Sequence, residues 1–220
     1  MKKKTAALLM AIFLPSMAMA NTYQMADNTM FKDVKTVKVT FSGLITIKKS
    51  AAFMSVLDEI NQRYVNAEHV YLYFNSVGGD MDSALSMYYA IRGSRLPVTT
   101  VNLSVVASAA TIPYCAADQR QSMKEAIFII HPAQMGSLDD KNVTPSKIRI
   151  TENYISNYNN LFMNIYSHCT DFSAQQLKEP LYSDDSRLYL SAAQSVQHRM
   201  STQIVDKVAA APVSYFVTDD

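Results

Sequence analysis

At 220 residues, with 49% hydrophobic and 18% charged side chains, 5 Gly and 7 Pro, the chain has the make-up of one medium-sized globular domain, which excludes collagen-like, repeat and disordered classes. Its 20 basic residues against 19 acidic ones are scattered beyond the first four positions, so there is no basic stripe and no nucleic-acid partner is expected. Two cysteines, Cys115 and Cys169, are too few for a Cys-rich zinc site, and no metal or cofactor is expected. They leave two alternatives, a single intrachain disulfide or a pair of buried thiols.

Met1 to Lys4 form a basic start, Ala6 to Leu14 an apolar stretch, and Ala18-Met19-Ala20 a small-x-small cleavage signal. Residues 1–20 are therefore expected to be a signal peptide, whose removal leaves 200 residues with 17 basic and 19 acidic side chains, a net charge of −2. The apolar stretch falls short of the roughly 20 residues a membrane span requires. No later segment qualifies either, so no span is expected after cleavage. The expected location is the periplasm or outside the cell, where disulfides persist.

Residues 21–36 read as a flexible lead-in, polar and aperiodic from Asn21 to about Phe31. The folded domain is expected over 37–220. Val37, Val39 and Phe41 alternate with polar residues, the period of a half-exposed strand. Phe53, Val56, Leu57, Ile60 and Tyr64 recur at helical spacing, predicting a helix that ends near Asn66. The unbroken run Val70 to Phe74 suits a strand covered on both faces, and Asn75-Ser76-Val77-Gly78-Gly79 ends it. A helix at Met81 to Arg92, a strand at Val98 to Leu103, a short helix at Ser108 to Ala117 and a strand at Ala126 to Ile130 follow. Later come a long helix at Ser146 to Ser167, a short one at Ser173 to Leu177, and an extended stretch at Arg187 to Leu190. A helix at Ala192 to Arg199 and a last strand near Ile204 to Val208 complete the series. Repeated β-α-β units predict an α/β fold with a largely parallel sheet and right-handed crossovers.

In such sheets ligands bind beyond the carboxyl ends of the strands. Three loops there carry chemistry. Gly78-Gly79 can turn with positive φ and expose backbone N–H groups; Ser108 opens a helix of small residues, at the positive end of its dipole; His131 directly ends an apolar strand. Singly each has an ordinary structural explanation, as a turn, an N-cap or a packing residue. Together they supply the nucleophile, base and oxyanion donors of acyl transfer. His69, His168 and His198 have no serine nearby in sequence and read as structural.

Four blocks, in order, resemble the proteolytic subunit of the Clp protease family, within the ClpP/crotonase fold. They are Tyr71 to Gly79, Val106 to Ala109, Ile127 to Pro132, and Leu190 to Val196 followed by Ile204-Val205-Asp206. The resemblance implies Ser108 as nucleophile, His131 as base, and the N–H groups of Gly79 and Ala109 as oxyanion hole. The family's aspartate falls on Arg187 in an ungapped match; an insertion of a few residues brings Asp184 onto it, and Asp185 is also within reach and slightly preferred. Ala110 stands where the family usually has glycine, and Pro113 should kink or shorten the helix after Ser108. The resemblance implies a serine endopeptidase acting on short or unfolded peptides, in a homo-oligomer, and independent of ATP if exported. The alternative is a non-catalytic binding or assembly module on the same fold. An acyl-CoA enzyme of the crotonase branch would leave Ser108 and His131 unexplained, and no lysine suits the serine–lysine arrangement of the signal-peptide peptidase type.

Overall fold

The computed structural model describes residues 21–26, 29–136 and 142–219; the expected leader at 1–20 lies outside them. Nine strands among these residues form one sheet: β1 (Asn21–Met25), β2 (Thr36–Ser42), β3 (His69–Ser76), β4 (Val98–Ala107), β5 (Gln119–Met123), β6 (Ile127–Ile130), β7 (Leu188–Ser191), β8 (Gln203–Val205) and β9 (Val213–Val217). The main path runs β1-β9-β2-β3-β4-β5-β8, with β6 beside β4 and β7 beside β6. All pairings are parallel except β1 with β9 and β6 with β7. The helices are α1 (Ile47–Arg63), α2 (Met81–Arg92), α3 (Thr111–Tyr114), α4 (Pro145–Cys169), α5 (Ala174–Tyr182) and α6 (Ala192–Gln197).

The hydrophobic pattern explains why the first crossover folds as it does. Val37, Val39 and Phe41 of β2 are all buried, and Phe53, Val56, Leu57 and Ile60 of α1 form the buried stripe of that helix. Phe41 meets Phe53 edge-on at a centroid separation of 6.3 Å and Phe74 of β3 at 5.9 Å, so strand, helix and next strand share one core. Thr46 caps α1 by accepting from the Lys49 N–H, and Asp80 caps α2 by accepting from the Ser83 N–H. That second cap fixes where the chain leaves the Gly78-Gly79 turn.

β4 changes partner along its length. Thr99 to Asn102 pair with β5, and Val105 to Ala107 pair with β6. Asn102 sits at this fork, fully buried, and its Nδ2 donates to the Ile127 carbonyl at 2.8 Å. The fork brings β6 alongside the carboxyl half of β4.

The chain departs from the sequence expectations in four places. Asn21–Met25, placed in the flexible lead-in, pairs antiparallel with β9, held by backbone bonds that its polar side chains do not advertise. β5 was not expected because Gln-Arg-Gln-Ser-Met has no apolar alternation; Arg120 pays for its place by donating to the carbonyls of Ala117, Arg199 and Met200. The last strand is not Ile204 to Val208: β8 stops at Val205, and β9 follows eight residues later between β1 and β2. The short helix after Ser108 is a 3-10 turn (Ser108–Ala110) and the single turn α3, which contains Pro113. Among the described residues no helix is long and apolar enough to cross a membrane.

Candidate active site

Because β3, β4 and β6 run parallel, their carboxyl ends open on the same edge of the sheet. Gly78-Gly79 lies just beyond β3, Ser108 directly follows β4, and His131 directly follows β6. The β4–β6 register pairs Ala107 with Ile129, which sets Ser108 and His131 within one residue of each other along the two strands. Both side chains are half-buried.

Ser108 has φ +55°, a left-handed conformation that an L-residue adopts at a cost of order 1–3 kcal/mol. Sharp strand-to-helix turns of this kind lift a side chain out of the sheet edge. The strain is held in place from two sides. The Thr111 hydroxyl donates to the Ser108 carbonyl at 2.6 Å and accepts from Tyr166 of α4 at 2.6 Å. On the other side Gly78, at φ +102°, packs so closely that a Cβ there would lie 2.7 Å from the Ser108 Cβ and 3.0 Å from the Ala109 nitrogen. Only glycine fits between the turn and the serine.

The oxyanion donors follow from backbone direction. Ile45 donates to the Gly78 carbonyl at 2.8 Å and accepts from the Asp80 N–H at 3.0 Å, a parallel bridge opposite Gly79. In such a bridge the N–H of Gly79 itself points away from Ile45, toward the β4 side where Ser108 sits. Ala109 is the second residue of the 3-10 turn, where backbone N–H groups have no partner within the helix. The Gly79 and Ala109 N–H groups, one next in the chain to Gly78 and one to Ser108, are therefore the candidate oxyanion donors.

The histidine differs from expectation. His131 Nδ1 lies 2.8 Å from the Pro132 carbonyl, which can only accept, so Nδ1 carries the proton and the Nε2 lone pair is free to take one. The orienting acceptor in this structure is therefore a backbone carbonyl, and neither Asp185 nor Asp184 occupies that place. Antiparallel pairing sets Ile130 opposite Leu188, and continuing this register by one residue brings Arg187 across from His131. Arg187 binds Asp184 at 3.4 Å, and Gln134 Nε2 donates to the same Asp184 oxygen at 3.0 Å. Of the two aspartates it is Asp184 that makes these contacts.

Burial pushes the His131 pKa below the ordinary histidine value; the Pro132 carbonyl and Asp184 oppose this and Arg187 adds to it. So arranged, His131 is the candidate base for Ser108. Among the described residues no three His, Cys, Asp or Glu side chains are placed to hold a metal ion. Cys115, just after α3, and Cys169, the last residue of α4, are joined in a disulfide with Cα atoms 5.6 Å apart. It ties the helix behind Ser108 to the end of the helix that carries Tyr166. Two contributors escaped the sequence reading: the Pro132 carbonyl and Gln134. Pro132 follows His131 directly and Gln134 lies three residues after it, but a carbonyl acceptor leaves no residue-type signal.

The Clp protease family pattern matches residues 23–210. The ATP-dependent Clp protease proteolytic subunit of Dehalococcoides mccartyi is 29% identical over 138 residues, covering 62% of this chain and 66% of that protein. The match thus spans just under two thirds of that relative's length. Subunit 2 of the ATP-dependent Clp protease of Treponema pallidum is 26% identical over 184 residues, 82% of this chain and 88% of that one. Among solved structures, a mutant ClpP1 from Listeria monocytogenes matches with a TM-score of 0.67 at 18% identity, covering 77% of this chain and 91% of that chain, a likeness of fold. With a family pattern that covers most of its length and a sheet of the same architecture, this chain belongs to the Clp protease family.

Proposed function

We propose that the protein is a serine endopeptidase that cleaves short or unfolded peptides through an acyl-enzyme, and that it works outside the cytoplasm without ATP. The observation that carries the activity is the left-handed Ser108 at the end of β4, one residue out of register with His131 and packed on Gly78. Ser108 Oγ attacks the peptide carbonyl while its proton passes to His131 Nε2. The Gly79 and Ala109 N–H groups bind the resulting oxyanion. Collapse expels the amine, which takes the proton back from His131, and a water molecule activated by the same imidazole releases the acid. Asp184 completes the site by moving from Arg187 toward the imidazolium as charge develops there.

Two features support the location: the leader-like residues 1–20, and the Cys115–Cys169 disulfide, which persists in oxidising compartments. Such a compartment holds no ATP-driven unfoldase, hence substrates that are already short or unfolded. The family likeness supports a homo-oligomer.

The test is labelling of residues 21–220 with a fluorophosphonate, wild type beside Ser108→Ala and His131→Ala, with the modified residue located by mass spectrometry. Labelling at Ser108 that is lost in both variants is the expected result. A folded wild type that does not label would overturn the reading in favour of a non-catalytic module.

A further inference from the structure

The left-handed Ser108 is tied to a closed ring of contacts that the disulfide completes. Thr111, the first residue of α3, and Cys115, just after its end, lie one turn apart, and the Cys115 N–H donates to the Thr111 carbonyl at 3.0 Å. Tyr166 and Cys169 lie three residues apart at the end of α4, on one face of that helix. Two links join the pairs: the Cys115–Cys169 disulfide, and the 2.6 Å contact between the Tyr166 and Thr111 hydroxyls. The Thr111 hydroxyl donates its one proton to the Ser108 carbonyl at 2.6 Å, so Tyr166 is the donor in the second link. All four side chains are buried, and the buried Met200 Sδ lies 3.8 Å from Cys115 Sγ and 4.0 Å from Cys169 Sγ. α3 is a single turn that contains Pro113, too short to hold its place by its own hydrogen bonds. Tyr114 fixes it to β4 and β5, its carbonyl accepting from Thr100 and its hydroxyl donating to the Gln121 carbonyl, each at 2.8 Å. Toward α4 the covalent link is the disulfide, which holds Tyr166 within hydrogen-bond reach of Thr111. A strained backbone such as that of Ser108 persists only where its surroundings over-determine it.

We propose that oxidation of Cys115 and Cys169 activates the nucleophile: the disulfide positions Ser108 through Tyr166 and Thr111, and the dithiol form is folded but has little activity. Without the bond the end of α4 drifts from α3, the Tyr166 hydroxyl leaves Thr111, and the Ser108 turn relaxes out of its left-handed conformation. The activating step needs a disulfide as oxidant. Both thiols lose their protons, a protein or small-molecule disulfide takes up the two electrons and leaves as two thiols, and the Cys115–Cys169 bond forms. In a reducing compartment the chain therefore remains a dithiol with a slack serine, and it becomes a peptidase where disulfides persist. This inference rests on the serine-peptidase reading above.

The test compares residues 21–220 in the disulfide form with Cys115→Ser/Cys169→Ser, with Tyr166→Phe, and with the three substitutions combined. Near-ultraviolet circular dichroism establishes that each is folded, and each is followed by fluorophosphonate labelling rate and by kcat and KM on one unstructured peptide. The cysteine variant should label about tenfold or more slowly, with kcat reduced to match and KM within about twofold of wild type. Tyr166→Phe should show a loss of similar size, and the combined variant little more than either, because both act through one hydroxyl. Thr111→Ser, which keeps that hydroxyl, should label at close to the wild-type rate, and Thr111→Val should not. Wild type reduced with dithiothreitol should lose its rate and regain it when oxidised glutathione restores the bond. A folded cysteine variant that labels at the wild-type rate, or losses that multiply in the combined variant, would overturn the proposal alone. Where the cysteine variant does not fold, Tyr166→Phe decides, since it keeps the bond: labelling at the wild-type rate there overturns the proposal. Disulfide-bonded wild type that neither labels nor cleaves would overturn the peptidase reading and this inference with it.

Discussion

In the proposed mechanism His131 sets the pH behaviour of the site. There its neutral form is the base, and burial together with Arg187 keeps it neutral to lower pH than an ordinary histidine, whose pKa is about 6.5. The acidic limb of a kcat/KM profile should therefore have its midpoint below that value. Replacing Arg187 by Gln removes a charge that opposes protonation, so the limb should move up. A profile unchanged in Arg187→Gln would show that Arg187 does not act on the imidazole. The two aspartates separate by the same measurement. Asp184→Asn should lower the rate by at least tenfold and shift the limb down, whereas Asp185→Asn should do neither. The residues proposed to carry the chemistry stand out in sequence because each follows a strand: Gly79 after an unbroken apolar run, Ser108 in a run of small residues, His131 before a proline. The choice between Asp184 and Asp185 was not legible. It depends on a turn inserted before β7 and on where Arg187 lands in the β6–β7 register, neither of which leaves a periodic trace.

At the scale of elements, the site depends on the contact between the glycine turn and the 3-10 turn. Gly78→Ala would put a methyl group 2.7 Å from the Ser108 Cβ and hold a non-glycine residue at φ +102°. We expect a stability loss of about 2 kcal/mol or more, and a fluorophosphonate labelling rate reduced by more than a hundredfold even where the variant is folded. Chemical denaturation and labelling kinetics on the same sample measure both. Wild-type labelling in a folded Gly78→Ala protein would contradict the close packing described above. Elements with a strong apolar period, such as β2, α1 and β3, were read correctly because burial on one or both faces imposes that period. β1 and β5 were missed for the converse reason: their places are secured by backbone ladders and by Arg120, so their side chains remain free to be polar.

Across the whole molecule, the Cys115–Cys169 bond closes a loop of 54 residues that contains β5, β6 and nearly all of α4. In the chain-entropy account a loop of that length is worth roughly 4 kcal/mol. Cys115→Ser with Cys169→Ser should lower the unfolding free energy by a comparable amount in urea, and reductant should do the same to wild type but not to the double variant. Equal stability of wild type with and without reductant would mean that the bond does not constrain the unfolded chain. Sequence left the bridge and the free thiols as alternatives because pairing depends on the packing of α3 against the end of α4, a contact between residues far apart in the chain.

The central claim is that Ser108 forms a covalent acyl intermediate. It is tested most directly by intact mass spectrometry of residues 21–220 mixed with a slowly deacylating peptide ester and quenched in acid. The account predicts a mass increment equal to the acyl group, mapped to Ser108, absent in Ser108→Ala and strongly reduced in His131→Ala. Turnover of the ester with no covalent species in wild type, or an increment that persists in Ser108→Ala, would contradict it.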